Sequence, residues 1–434
     1  MRKGLSGIGS RIQLGAAAAL VTAGAALLLG ACGDGGGGAR NGAKPELETR
    51  DRMALAQQLD PAVAAASNAF GLELARRQME KKPGENMVLS PVSVAQALAM
   101  TMNGAAGSTR EGVAKALRLD GVPLEKVNQS AAVIADLLGK SSPGVRTAIA
   151  NSLWLQKDWP FKNEFLKGMR ESYKAKLEQR NLTDPKVRKE INDWVKKQTR
   201  GRIPSIVDEP VDPLTKAMLI NALHLNAAWE NPFQENQTKD GPFTRADGTV
   251  KQVPMMKRSG RMAYDEEDTH QAVKLPYGDG QLSMLIVLPR PGADRKALAA
   301  KLFADPAWWM RSYEGFSGEL TLPRFRVEMT AELKELLAPM GMADAFDPLK
   351  ADFRAMANTD ATHEPLFISR VLHKTYLDVN EKGTEAAAAT LVGMKAGSAP
   401  PNGRFEMKVD RPFWLAIVDE QSKLLLFVGA VEQP

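Results

Sequence analysis

Glu381-Lys382-Gly383-Thr384-Glu385-Ala386-Ala387-Ala388-Ala389-Thr390 stands between two β-like runs near the end of the chain, and its reading decides the fold. Alanine is the best helix former, so one reading is a short helix followed by a linker. The other is a strand. At period two, Thr384, Ala386, Ala388, Thr390, Val392, Met394 and Ala396 share one face, which carries no charge. Glu385 and Lys395 fall on the opposite face, as expected for a strand that buries one side in a sheet and exposes the other. Small residues in its first half would let such a segment enter between existing strands. About 14 residues rich in Gly, Ser, Pro and Ala follow, and structureless loops of that length are uncommon and often functional.

Working outward, β-like runs are expected at 218–225, 282–288, 320–327, 371–380 and, with breaks, 405–431. Helix starts are marked by Asp60-Pro61, Ser90-Pro91 and Asp184-Pro185, each a capping side chain before a proline whose missing N–H costs nothing in the first turn. After Asp184, the residues Val187, Ile191, Trp194, Val195 and Gln198 form one helical stripe, with Gly201 as the C-terminal cap. A further helix is expected from Ala331 toward Gly341. Strands and helices without regular alternation predict an α+β fold.

The N-terminal segment has Arg2, Lys3 and Arg11, then an apolar stretch over 14–29, which is the layout of a secretory signal. About 16 apolar residues fall short of the roughly 20 needed to cross a bilayer as a helix. Residues 1–31 are therefore expected to be removed, 32–59 to be a glycine-rich tether, and 60–434 to be the folded part, as one large domain or two. The formal net charge of +6 loses three positive charges with the signal, leaving +3, so nucleic acid is not an expected partner. Between Lys162 and Arg202 there are 13 basic and 6 acidic residues, most simply a solvated helical face.

Chemistry-bearing motifs are sparse. The four histidines, His224, His270, His363 and His373, form no His-Glu-x-x-His pattern, and the single cysteine is Cys32, so neither a metal site nor a cofactor is expected. No phosphate-cradling glycine loop or Gly-x-Ser-x-Gly elbow occurs in 32–434. An enzyme is the least expected reading.

Leu29-Gly30-Ala31-Cys32 resembles the lipobox of bacterial lipoproteins, which implies a diacylated Cys32 and a chain anchored in a bacterial cell envelope, with outer-membrane sorting compatible with Gly33. The 381–390 segment resembles the hinge of the inhibitory serpins. Asn86-Met87-Val88-Leu89-Ser90-Pro91-Val92-Ser93-Val94 and Asn103-Gly104-Ala105-Ala106-Gly107-Ser108-Thr109 resemble the two ends of that family's second helix. Ala150-Asn151-Ser152-Leu153-Trp154 is similar to a family strand. Asn221-Ala222, Trp229 with Pro232-Phe233, Leu275-Pro276-Tyr277, Leu322-Pro323-Arg324-Phe325 and Asp410-Arg411-Pro412-Phe413 follow in the right order.

The resemblance implies three β-sheets, about eight or nine helices and an exposed reactive loop over about 381–405, in a monomer. It also implies a suicide-substrate inhibitor of serine proteases that traps its target as a covalent complex. The hinge would comprise Glu381, Gly383, Thr384, Ala386, Ala387, Ala388, Ala389 and Thr390. Counting as the family does places the reactive bond at Gly397-Ser398, with small residues favouring an elastase-like target and Met394 or Lys395 as the alternative bait. Ser90, Ser93, Asn221 and His373 match a polar cluster, the shutter, beneath the strands that part. Trp229 and Glu381 would sit at the upper opening, with Arg290 expected to pair with Glu381. The alternative is a non-inhibitory serpin, a binding or scaffold protein whose loop never inserts.

Overall fold

The computed structural model describes residues 48–140, 142–361, 364–385 and 404–434. The three expected caps start helices as the local chemistry dictates: Asp60, Ser90 and Asp184 each accept a hydrogen bond from a first-turn backbone N–H, and each is followed by proline. Among the described residues the α-helices are α1 (Thr49–Ala56), α2 (Pro61–Lys81), α3 (Pro91–Gly104), α4 (Gly107–Ala116), α5 (Leu124–Gly139), α6 (Asn163–Tyr173), α7 (Pro185–Gln198), α8 (Arg295–Ala304) and two single turns, α9 (Pro306–Trp309) and α10 (Lys334–Leu337).

The strands are β1 (Met87–Leu89), β2 (Val145–Gln156), β3 (Lys176–Arg180), β4 (Ala217–Ala228), β5 (Lys239–Thr244), β6 (Val250–Glu266), β7 (His270–Tyr277), β8 (Leu282–Pro289), β9 (Gly315–Pro323), β10 (Phe325–Glu332), β11 (Leu372–Asn380), β12 (Gly383–Thr384), β13 (Arg404–Lys408), β14 (Phe413–Asp419) and β15 (Leu425–Val431). A six-stranded sheet runs β10-β11-β12-β4-β2-β3. The other strands fall into two groups, β13-β9-β6-β5 and β6-β7-β8-β14-β15-β1, which share β6. β6 is 17 residues long and pairs with β5 and β9 along most of its length, then with β7 over its last four residues. Where three sheets are expected, the described strands form two hydrogen-bonded sheets, because β6 bends from one group of strands into the other; the class is α+β.

Two boundaries differ from the sequence expectation. The run 320–327 is two strands: β9 ends at Pro323 in the nine-stranded sheet, Arg324 crosses over, and β10 begins at Phe325 in the six-stranded one. The helix expected from Ala331 starts only at Lys334, because the alternation of buried Phe325, Val327, Met329 and Ala331 carries β10 on to Glu332, with Ala331 opposite His373. Gly341 does end that region, at φ +128°.

The packed chain also begins earlier than Asp60. α1 lies in the stretch expected to be tether, and its Arg52 is buried, donating to the Leu137 carbonyl (2.9 Å) and pairing with the Asp419 carboxylate. An arginine on a weakly patterned segment gave no sign in the sequence of that buried partner 367 residues away. The described residues belong to one compact unit, 44–434.

α7 shows why one face of the six-stranded sheet is dry. Val187, Ile191 and Val195 are buried against Trp154, Ile220 and Tyr376 of that sheet, while Trp194 is half-buried at the edge. The opposite face joins the core shared with the other sheet, through Leu223, Leu225, Leu377 and Val379.

Candidate functional site: the head and middle of the six-stranded sheet

β11 climbs to Asn380, the chain turns at Glu381-Lys382, and β12 descends antiparallel to both β11 and β4, so that Gly383 and Thr384 form the middle strand between them. Gly383 opposes Ala228 and Asn380; Thr384 opposes Ala227 and Val379. These two residues are therefore strand, not helix. Glycine is required at the first of them: φ is +145°, and a Cβ would lie 2.0 Å from the Ala227 carbonyl oxygen and 2.8 Å from the Ala228 Cα. Thr384 is fully buried and shares a 2.6 Å hydrogen bond with the Tyr277 hydroxyl.

Trp229 lies at the head of this strand. Its backbone N–H donates to the Lys382 carbonyl and its indole N–H to the Asn380 carbonyl, both 2.9 Å, and its ring stacks on Tyr277 at 4.2 Å. Glu381 also lies there, 4% exposed at its side chain, but its partner is Arg324 and not Arg290. Arg324 Nη2 is 2.6 Å from Glu381 Oε1, and the Thr238 hydroxyl donates to the same carboxylate. Burial pulls this carboxyl upward; the Arg324 and Thr238 hydrogen bonds more than offset it, and the group lies below its ordinary value. Arg290 is bound elsewhere, to the Glu266 carboxylate and the Glu267 carbonyl. The register decides the partner: pairing of Phe325 with Val379 places the preceding Arg324 beside the turn after Asn380.

Lower in the sheet, the expected polar cluster divides in two. Ser90 caps α3 by accepting from the Ser93 N–H (3.3 Å), and the Ser90 N–H donates to His373 Nε2 (3.1 Å). Asn221 instead donates to Asn151 Oδ1 on β2, and Asn151 donates to the Tyr173 carbonyl. Asn221 and His373 line one narrow cleft between β4 and β11, together with Leu219, Leu333 and Val371. The buried Ser93 hydroxyl and Asn221 Oδ1 have no hydrogen-bond partner among the described residues. Groups with spare bonding capacity are what a site of strand separation requires. Sequence reading missed Asn151 and Thr375, whose hydroxyl donates to the Val88 carbonyl. Complete burial pushes His373 down to about 4, so its Nε2 is an unprotonated acceptor at neutral pH.

Glu385 lies on the face opposite Thr384, as period two required, yet it is buried and not exposed. Its carboxylate meets His224 and Arg202, because the chain that follows α7 covers this part of the sheet. Ala386, Ala387, Ala388, Ala389, Thr390, Met394, Lys395, Gly397 and Ser398, and Cys32 at the other end, lie outside the described residues.

A two-residue strand at the start of the 383–390 segment is thus wedged between β4 and β11 and capped by a tryptophan. A model of the family described as Serpin (serine protease inhibitor) matches residues 65–434, and the chain belongs to that family. It is 36% identical to the leukocyte elastase inhibitor of Bos taurus, over 86% of this chain and 99% of that one. Among solved structures, the native state of the thermophilic serpin tengpin superimposes with a TM-score of 0.76 at 29% identity, covering 90% of this chain and 96% of that one. Thyroxine-binding globulin in complex with thyroxine gives 0.75 at 26%, covering 86% and 99%.

Proposed function

We infer that the chain inhibits serine proteases as a suicide substrate and has no catalysis of its own. The observation that carries this is the seating of Gly383 and Thr384 between β4 and β11: the hinge has already begun the strand that the rest of the loop would complete. The 14 residues 384–397, at about 3.3 Å each, would span roughly 45 Å, the length of a domain.

The protease serine Oγ attacks the Gly397 carbonyl carbon; the Gly397–Ser398 C–N bond breaks, the Ser398 amine takes the proton, and Gly397 remains esterified to the enzyme. Freed at one end, the loop zips into the sheet and carries the acyl-enzyme with it, distorting the enzyme before water completes hydrolysis. Loop insertion by serpins is a known instance of strand addition driven by released strain, and that part of the mechanism is adopted here from the family. Gly397-Ser398 is the proposed reactive bond, with Met394 or Lys395 as the alternative bait.

An elastase-like protease is the proposed target, supported by the small residues around Gly397 and by the named activity of the bovine relative. The protein acts as a monomer. We further propose that residues 1–31 are a secretory signal and that Cys32 carries the lipid that holds the inhibitor to a bacterial cell envelope, supported by Leu29-Gly30-Ala31-Cys32. Loss of palmitate labelling in Cys32→Ser is the expected result for the anchor.

The test of inhibition is a gel. Incubation with an elastase-like protease is expected to give a complex that survives boiling in detergent. Cleavage without complex by every serine protease tried would favour the alternative, a non-inhibitory binding serpin.

A further inference from the structure

Two side chains outside both the upper ion pair and the shutter converge on the last described residue of the hinge. Glu385 has φ +52°, a left-handed conformation that is costly for a residue with a Cβ. Its side chain is 2% exposed; Oε2 lies 2.6 Å from His224 Nε2 and 3.4 Å from Arg202 Nε. Its N–H donates to the Asp378 carbonyl (3.0 Å), and Asn226 Nδ2 donates to its carbonyl.

The surrounding charges are few. On β11, the Asp378 carboxylate accepts from the Tyr376 hydroxyl at 3.2 Å. Arg202 lies over the Tyr376 ring at 5.6 Å and Arg326 of β10 over the same ring at 4.8 Å. On β2, exposed Arg146 stands opposite Asn226 in register.

Positive φ turns the chain out of the strand geometry that Gly383 and Thr384 begin. Extending that strand requires Glu385 to return to the β region, with φ near −120° to −140°. Rotation of its backbone would break the Asn226 hydrogen bond and strain the carboxylate contacts.

We propose that His224 and Arg202 are positioning residues that arrest the hinge at Glu385: they grip its carboxylate, and the sheet admits residues beyond Thr384 only when Glu385 is released. The idea rests on the loop-insertion reading, but its test needs no protease. The grip is geometric: His224 Nε2 and Arg202 Nε both face the same buried carboxylate oxygen, and neither contact survives rotation of the Glu385 backbone into strand geometry.

The experiment follows the rate at which intact, warmed protein converts to a form that no longer unfolds in concentrated urea on a gel. His224→Phe is expected to convert about tenfold faster than wild type, a change equal to losing one hydrogen bond to a charged group, roughly 1.4 kcal/mol. His224→Gln keeps a side-chain donor and should bring the rate back toward that of wild type. Glu385→Gln should accelerate conversion, and the double variant with His224→Phe should be no faster than the faster single one. Equal rates for wild type and His224→Phe, no conversion by His224→Phe, or a His224→Gln rate as fast as that of His224→Phe would overturn the proposal. Failure to form a protease complex, with these rates as expected, would overturn only the inhibitory reading.

Discussion

Arg324 and Glu381 meet at the head of the six-stranded sheet, guanidinium to carboxylate at 2.6 Å, and so tie the crossing from β9 to β10 to the turn from which the hinge descends. Because the carboxyl is buried while the guanidinium is 45% exposed, removing the arginine leaves a charge in the sheet with only neutral donors, the Thr238 hydroxyl and the Glu381 N–H, to satisfy it.

Arg324→Ala is therefore expected to destabilise the resting protein by about 1–2 kcal/mol at neutral pH. Glu381 lies below its ordinary 4.5, so the stabilisation is fully present above that value and is lost as pH falls through the lower, folded value. Denaturant titrations at pH 7 and at successively lower pH should show the wild-type advantage shrinking below about 4.5. An advantage that is the same at every pH would mean the ion pair is not its source.

Gly383→Ala forces a methyl onto the Ala227 carbonyl and the Ala228 Cα. The two-residue strand should be displaced while the rest of the fold forms. Hydrogen exchange at Thr384, whose amide now lies in the sheet, is expected to rise at least about tenfold, corresponding to roughly 1.4 kcal/mol or more of lost local stability.

Thr384→Arg places a permanent charge at a fully buried position now bonded to Tyr277. Hinge insertion should fail, and protease should cleave the variant without being trapped. The ratio of complex to cleaved protein on a denaturing gel measures this, and should fall to near zero.

His373 gives the fold an acid sensitivity of its own. In the folded protein it titrates near 4, against 6.5 ordinarily, so between those values the unfolded chain binds the proton that the native state refuses. Stability should fall as pH drops from about 6.5 toward 4, by a total on the order of 3 kcal/mol. His373→Gln should flatten that window when denaturation midpoints are compared at pH 7, 6 and 5.

Much of the site was legible because its residues are local in character: the proline-flanked caps, the period-two pattern through Thr384, and the glycine before it each act within a few residues. What escaped were partners chosen by long-range register. Arg290 was a plausible cation for Glu381, but the antiparallel pairing of β10 with β11 delivers Arg324 to that spot. Asn221 turned to Asn151 because β4 pairs with β2 at that level, Asn151 opposite Asn221, and His373 was left to the Ser90 amide. Glu385 read as a solvent-facing charge, since nothing short of the packed chain after α7 shows that its face is covered. Arg52 is the same lesson at the other end of the chain, a cation whose buried partner lies in β14.

The central claim is that cutting the loop lets the segment after Thr384 become an interior strand. The most direct test is the melting temperature of protein nicked once within 391–403, compared with intact protein under identical conditions. The account predicts a rise of tens of degrees on nicking, because the sheet gains a full central strand. An unchanged melting temperature would contradict it.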